Sequence, residues 1–162
     1  MTQATDKKQM MLHSPDKDTV QMRTHTELVL KMYELFAKGD MQAIKEQVFH
    51  PDMSWTMPGH HPLSGRIQGV DAVLAFFGAL FQAGIHVDNI HFGELDDGTV
   101  IERHIGHGEI GGEAFTFPTC TSYGIKDELI HEVHVHTGDQ HNVDRYMWSM
   151  FTLKGIPARL AD

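Results

Sequence analysis

The sequence predicts an α+β fold, with helices grouped early and an antiparallel meander of strands late. Three observations predict it. Apolar residues up to about position 81 recur mostly at helical spacing. From residue 85 on, four segments of strand length are separated by short Gly- and Asp-containing turns, as antiparallel neighbours require. The 162 residues suffice for one domain with its own core. Segregated helices and strands argue against a doubly wound parallel sheet, and a curved sheet with helices on its concave side encloses a pocket.

Residues 1–22 are polar and Met-rich around Ser14-Pro15-Asp16 and read as a flexible N-terminal arm. Thr24-His25-Thr26-Glu27 has capping-box spacing, so a helix is expected from there, with Leu28, Val29, Met32, Leu35 and Phe36 on one face and Gly39 at its end. Asp40 is placed to cap a second helix carrying Met41, Ile44, Val48 and Phe49, which His50-Pro51-Asp52 stops. A short strand, 53–57, runs into Pro58-Gly59 and a loop with His60 and His61. The dense apolar run 70–81 is a largely buried third helix, with Asp71 suited to its first turn. Segments 85–92, 99–108, 114–125 and 129–136 are the late strands. A C-terminal helix is expected over 143–154, ended by Gly155 and Pro157. The domain proper is 23–138, and 139–162 form a helical tail packing on the domain or on a partner subunit.

Composition excludes several functions. A net charge of −9 disfavours a nucleic-acid partner, which needs a basic face. No apolar run reaches membrane-spanning length, and Met1 to Lys8 contains no export signal. The single Cys120 excludes an internal disulfide framework and suits a cytoplasmic, reducing setting. Thirteen histidines equal the whole Lys+Arg count; full protonation would carry the charge from −9 to about +4.

Tyr33-Glu34-Leu35-Phe36-Ala37-Lys38-Gly39-Asp40 resembles a helix end of the NTF2-like (ketosteroid isomerase-like) superfamily. Phe49-His50-Pro51-Asp52, Trp55-Thr56-Met57-Pro58-Gly59, Pro62-Leu63-Ser64-Gly65 and Gly69-Val70-Asp71-Ala72-Val73 with Phe76-Phe77 are similar to SnoaL-like members of it. The resemblance implies a cone: a bent sheet packed against three N-terminal helices, a deep apolar pocket and a homodimer through the outer sheet face. It implies a small apolar organic ligand and activities such as isomerase, polyketide cyclase or hydratase/dehydratase, without an organic cofactor. The ketosteroid-isomerase residues are not matched, since their positions fall at Met57, near Cys120 and at Met32, beside Tyr33. Nor are the Arg–Asp pairs of epoxide hydrolases. SnoaL-like cyclases carry an acid/base residue on the last strand, where Glu132, His134 and His136 stand.

Strand parity puts Glu132, His134 and His136 on one face, and Arg103, Ile105 and His107 on one face two strands earlier. The resemblance turns both faces inward; parity alone also allows Val133 and Val135 to be the core side. On the inward reading, His134 and His107 are the acid and base, Glu132 supports an imidazole, and Arg103 contacts an oxyanion or carboxylate. Trp55, Met57, Phe76, Phe77, Cys120, Ser122 and His136 line the ligand site, with His60 at its mouth. Two alternatives stand beside this: a non-catalytic ligand-binding pocket, and a three-His metal site from His134, His136 and His107 or His104. The primary expectation is no metal.

Overall fold

The computed structural model describes residues 15–150. In chain order these form α1 (Pro15–Ala37), α2 (Met41–Gln47), β1 (Phe49–Met57), β2 (Gly65–Gln68), α3 (Val70–Gln82), β3 (His86–Glu94), β4 (Val100–Ile110), β5 (Glu113–Lys126), β6 (Leu129–Thr137) and α4 (Gln140–Met150). Helix α1 starts earlier than the capping-box spacing suggests, so the segment read as an arm is helical from Pro15. A proline suits a first helical turn, where its missing N–H leaves no partner unmet. Residues 1–14 of that arm and 151–162 of the tail lie outside the described residues.

Gly39 ends α1 as its position suggests. Its φ is +71°, and the N–H groups of Gly39 and Asp40 return to the carbonyls of Phe36 and Leu35 at 2.9 and 3.0 Å. Asp40 then caps α2 by accepting from the Ala43 N–H at 3.0 Å.

The six strands form one sheet in the order β2-β1-β6-β5-β4-β3. All pairings are antiparallel except β1 with β6, which is parallel, so the expected meander is joined by a crossover. Strand β1 is longer than expected and absorbs Phe49 to Asp52. The break in register between Phe49 and Ser54 accommodates Pro51, which has no N–H to give to a ladder. The four-residue β2 read as loop in the sequence because a short edge strand carries no alternation to detect.

Helices α1 and α3 cover the inner face of the sheet. Val29, Met32, Phe76 and Phe77 pack there against Trp55, Tyr123 and Val133. Helix α4 closes the far end over β4 and β5, with Val143, Tyr146 and Met147 against Phe115 and Phe117. Glycine makes this closure possible: a Cβ at Gly108 would overlap the Tyr146 hydroxyl, and one at Gly106 the Phe117 ring. Among the described residues no helix is long and apolar enough to cross a membrane.

Candidate active site

Between the helices and the sheet lies a cavity of about 100 Å³. One water needs roughly 10–15 Å³ by this measure, so a small organic molecule fits. Most of the wall is apolar: Met32, Phe36, Trp55, Met57, Phe76, Phe77 and Leu80 on one side, Phe117, Val135, Val143 and Met147 on the other. Trp55, Met57, Phe76 and Phe77, expected at a ligand site, are among these lining residues. The polar exceptions are Tyr33, His104, Thr119, Thr121 and Thr137.

The expected acid/base residues stand elsewhere. Along β4 the inward positions are 102, 104, 106 and 108, and along β6 they are 133 and 135. Arg103, His107, Glu132, His134 and His136 therefore project from the opposite, outer face. This corrects their expected placement in the pocket. The reason is burial: Val133 and Val135 fill the core, and a strand cannot turn both valines and histidines inward. His107 donates from Nε2 to the exposed Asp88 carboxylate at 2.9 Å and stacks on His86 at 5.1 Å. Cys120 and Ser122 pair with His136 and His134 on β6, which puts them on the outer face too. His60 sits in an exposed loop, where its N–H donates to Asp144 at 3.1 Å. His104 faces inward and His107, His134 and His136 outward, so the alternative three-His metal set does not converge. Among the described residues no group of three or more His, Cys, Asp or Glu is arranged to hold a metal ion.

What converges inside is a different set. Glu102 on β4 is fully buried, with 0% of its side chain exposed. His104 Nδ1 lies 2.8 Å from its Oε1 and 2.9 Å from its Oε2. Tyr33, from α1, donates its hydroxyl to Oε2 at 2.9 Å. The Tyr123 hydroxyl, from β5, lies 2.9 Å from that of Tyr33. The Tyr33 and His104 rings meet edge-on at 5.9 Å.

A carboxylate only accepts, so these contacts assign the proton to His104 Nδ1 and leave a lone pair on Nε2. The side-chain hydrogen bonds of His104 run through Nδ1, and the residue lines the cavity. Burial, and then the nearby Tyr123 and Glu102, push the Tyr33 phenol well above its usual value. Burial and Glu102 do the same to Tyr123. Both hydroxyls therefore stay protonated and act as donors. Glu102 escaped the sequence reading because an isolated acid on a strand reads as surface. The available signal was cross-strand: Gly106 and Gly108 alternate with Glu102 and His104, opposite Phe117 and Phe115 of β5.

A largely apolar hollow with a few polar groups on its wall has the make-up of small-molecule sites. Residues 29–133 match the SnoaL-like domain family, and the protein belongs to that family. Bal32a, from a soil-derived mobile gene cassette, has a similar structure at 27% identity and a TM-score of 0.73, over 78% of this chain and 98% of that one. An NTF2-like protein from Burkholderia xenovorans LB400 superposes with a TM-score of 0.66 at 15% identity, over 77% of this chain and 96% of the other. An uncharacterized protein of Mycobacterium tuberculosis is 40% identical over 52 residues, 32% of this chain. The match spans 39% of that relative's length.

Proposed function

We propose that the protein is a small-molecule enzyme of acid–base type, with His104 Nε2 as the proton acceptor. The observation that carries this reading is the buried Glu102–His104 pair at 2.8 Å, set in the wall of a mainly apolar cavity. In such a pair the carboxylate orients the imidazole and stabilises the imidazolium formed when it takes a proton. Thr119 lies directly across from His104 on β5, and Thr121 across from Glu102. Their hydroxyls are placed to meet an oxygen that gains charge as the proton leaves. Among the described residues no Lys, Arg or carboxylate lines the cavity to pair with a charged phosphate or carboxylate guest. The substrate class is a compact, neutral, largely apolar carbonyl compound with an acidic C–H. The reaction is isomerisation, aldol-type cyclisation or hydration/dehydration, with no organic cofactor.

The test is a panel of cyclic ketones and their enols, assayed with the parent protein, His104→Gln and His134→Gln. His104→Gln should lose roughly 10²–10⁴ in kcat/KM, the range for a general base, while His134→Gln stays near the parent. Equal turnover by His104→Gln and the parent overturns the assignment. Binding of the panel without turnover of any member would make the cavity a carrier site.

A further inference from the structure

We infer that Tyr33 and Tyr123 are positioning residues that set the proton affinity of His104 through Glu102. The inference rests on the base assigned to His104 above. Glu102 has no contact with water, so its charge is met only by the groups around it. Two are donors: His104 Nδ1–H and the Tyr33 hydroxyl. Tyr33 has a single hydroxyl proton. Once that proton points at Glu102, its oxygen is an acceptor, and the Tyr123 hydroxyl 2.9 Å away supplies the donor. Tyr123 is wholly buried. The two phenols form a fixed clamp on the carboxylate.

The clamp has a consequence for the imidazole. Each hydrogen bond to a carboxylate draws charge from it, and a donor that is itself polarised by a second draws more. With less charge on Glu102, the imidazolium of His104 is less stabilised. Removing a phenol should therefore leave more charge on Glu102 to stabilise the imidazolium. The groups facing His104 are few. Glu102 lies on its own strand; Tyr33, on α1, also places its hydroxyl 3.3 Å from His104 Nδ1, a longer contact than its 2.9 Å bond to Glu102; Thr119 and Thr121 lie on β5; β6 and α4 present Val135, Thr137, Val143 and Met147 to the cavity, and α3 presents Phe76, Phe77 and Leu80. Among the described residues no titratable group besides Tyr33 and His104 lines the cavity.

The experiment follows the His104 ring by proton NMR titration, with its signal identified by its loss in His104→Gln. Tyr33→Phe keeps the ring that lines the cavity and deletes only the hydroxyl. The His104 midpoint should move up by about one pH unit in Tyr33→Phe, and by less in the same direction in Tyr123→Phe. An unchanged or lowered midpoint in Tyr33→Phe overturns the inference, and an unmoved Tyr123→Phe overturns the part given to Tyr123. Should Tyr33→Phe fail to fold, the Tyr123→Phe titration decides alone. The measurement needs no substrate, so it stands apart from the assigned reaction. Where a substrate is found, the acid limb of kcat/KM must move with the NMR midpoint.

Discussion

The sheet carries the pattern Glu-x-His twice, once on each face. On β4, Glu102-Arg103-His104 points its acid and imidazole inward, 2.8 Å apart, with 0% and 10% of the side chains exposed. On β6, Glu132-Val133-His134 points them outward, 3.2 Å apart, with 50% and 46% exposed. Residue types and spacing are the same, so whatever separates the two pairs lies in their surroundings. In water the outer pair is screened and its side chains are free to move, so its net contribution is small. Inside, each polar atom that lacks a partner costs free energy, so Tyr33 and Tyr123 are drawn into the pair and its geometry is fixed. On the function proposed above, burial is what fits the inner Glu–His pair, and not the outer one, to act as a base.

The largest expected difference between the pairs is in stability. Glu102→Ala strips the acceptor from two buried donors and leaves a hole, which should cost roughly 3–5 kcal/mol, as breaking a buried pair does. Glu132→Ala should cost less than about 1 kcal/mol. Urea unfolding of the two variants measures both. Similar losses would mean that burial does not separate the two pairs.

Glycines extend the same contrast. Gly108, on the inner face, makes room for the Tyr146 hydroxyl, and that seat holds α4 with its cavity-lining Val143 and Met147. Gly108→Ala should therefore cost about 1–3 kcal/mol by overpacking and weaken ligand binding as α4 shifts. Gly124 is paired with the outward Glu132, and a Cβ there meets the Glu132 Cβ at an ordinary 3.6 Å. Gly124→Ala should stay within about 0.5 kcal/mol of the parent or stabilise slightly. Thermal midpoints of the two variants, with a bound cyclic ketone and without, check this. Equal shifts would show that α4 is not seated by Gly108.

The same glycines explain how much of the site was legible. The helices and late strands showed through their periodicity, and Gly39 and Asp40 marked a helix end and a helix start. Trp55, Met57, Phe76 and Phe77 could be placed in the cavity because large apolar residues on core elements line whatever hollow the core leaves. The orientation of the sheet was harder. On β6, the alternation of Val133 and Val135 points the histidines outward. On β4, Ile101 and Ile105 occupy the outer face, while the inner face reads Glu102, His104, Gly106, Gly108 and so looks like surface. Its apolar filling comes from Phe117 on β5 and Tyr146 on α4, which lie over the glycines. Hydropathy along one strand does not register packing supplied by another. For the same reason Glu102 was invisible: the hydroxyl that satisfies it comes from Tyr33, 69 positions away.

The smallest effect tests the buried phenols in alkali. Burial raises the folded-state pKa of Tyr33 and of Tyr123 above the usual phenol value of 10.0. Below pH 10 both states hold these protons, and the stabilisation is fully present. Above it the unfolded chain releases them while the native protein does not, so the unfolded state binds fewer protons and stability falls as pH rises. Each phenol should contribute a loss of about 1.4 kcal/mol per pH unit until its folded-state pKa is reached. Tyr33→Phe removes one such group, so its stability should fall less steeply with pH than the parent's, by about that amount per unit. Glu132→Gln touches only the outer pair and should follow the parent's slope. Urea midpoints collected from neutral pH into this alkaline range decide the matter. Parallel curves for Tyr33→Phe and the parent would mean that the Tyr33 hydroxyl already titrates in the native protein, and that the inner pair is as open to water as the outer one.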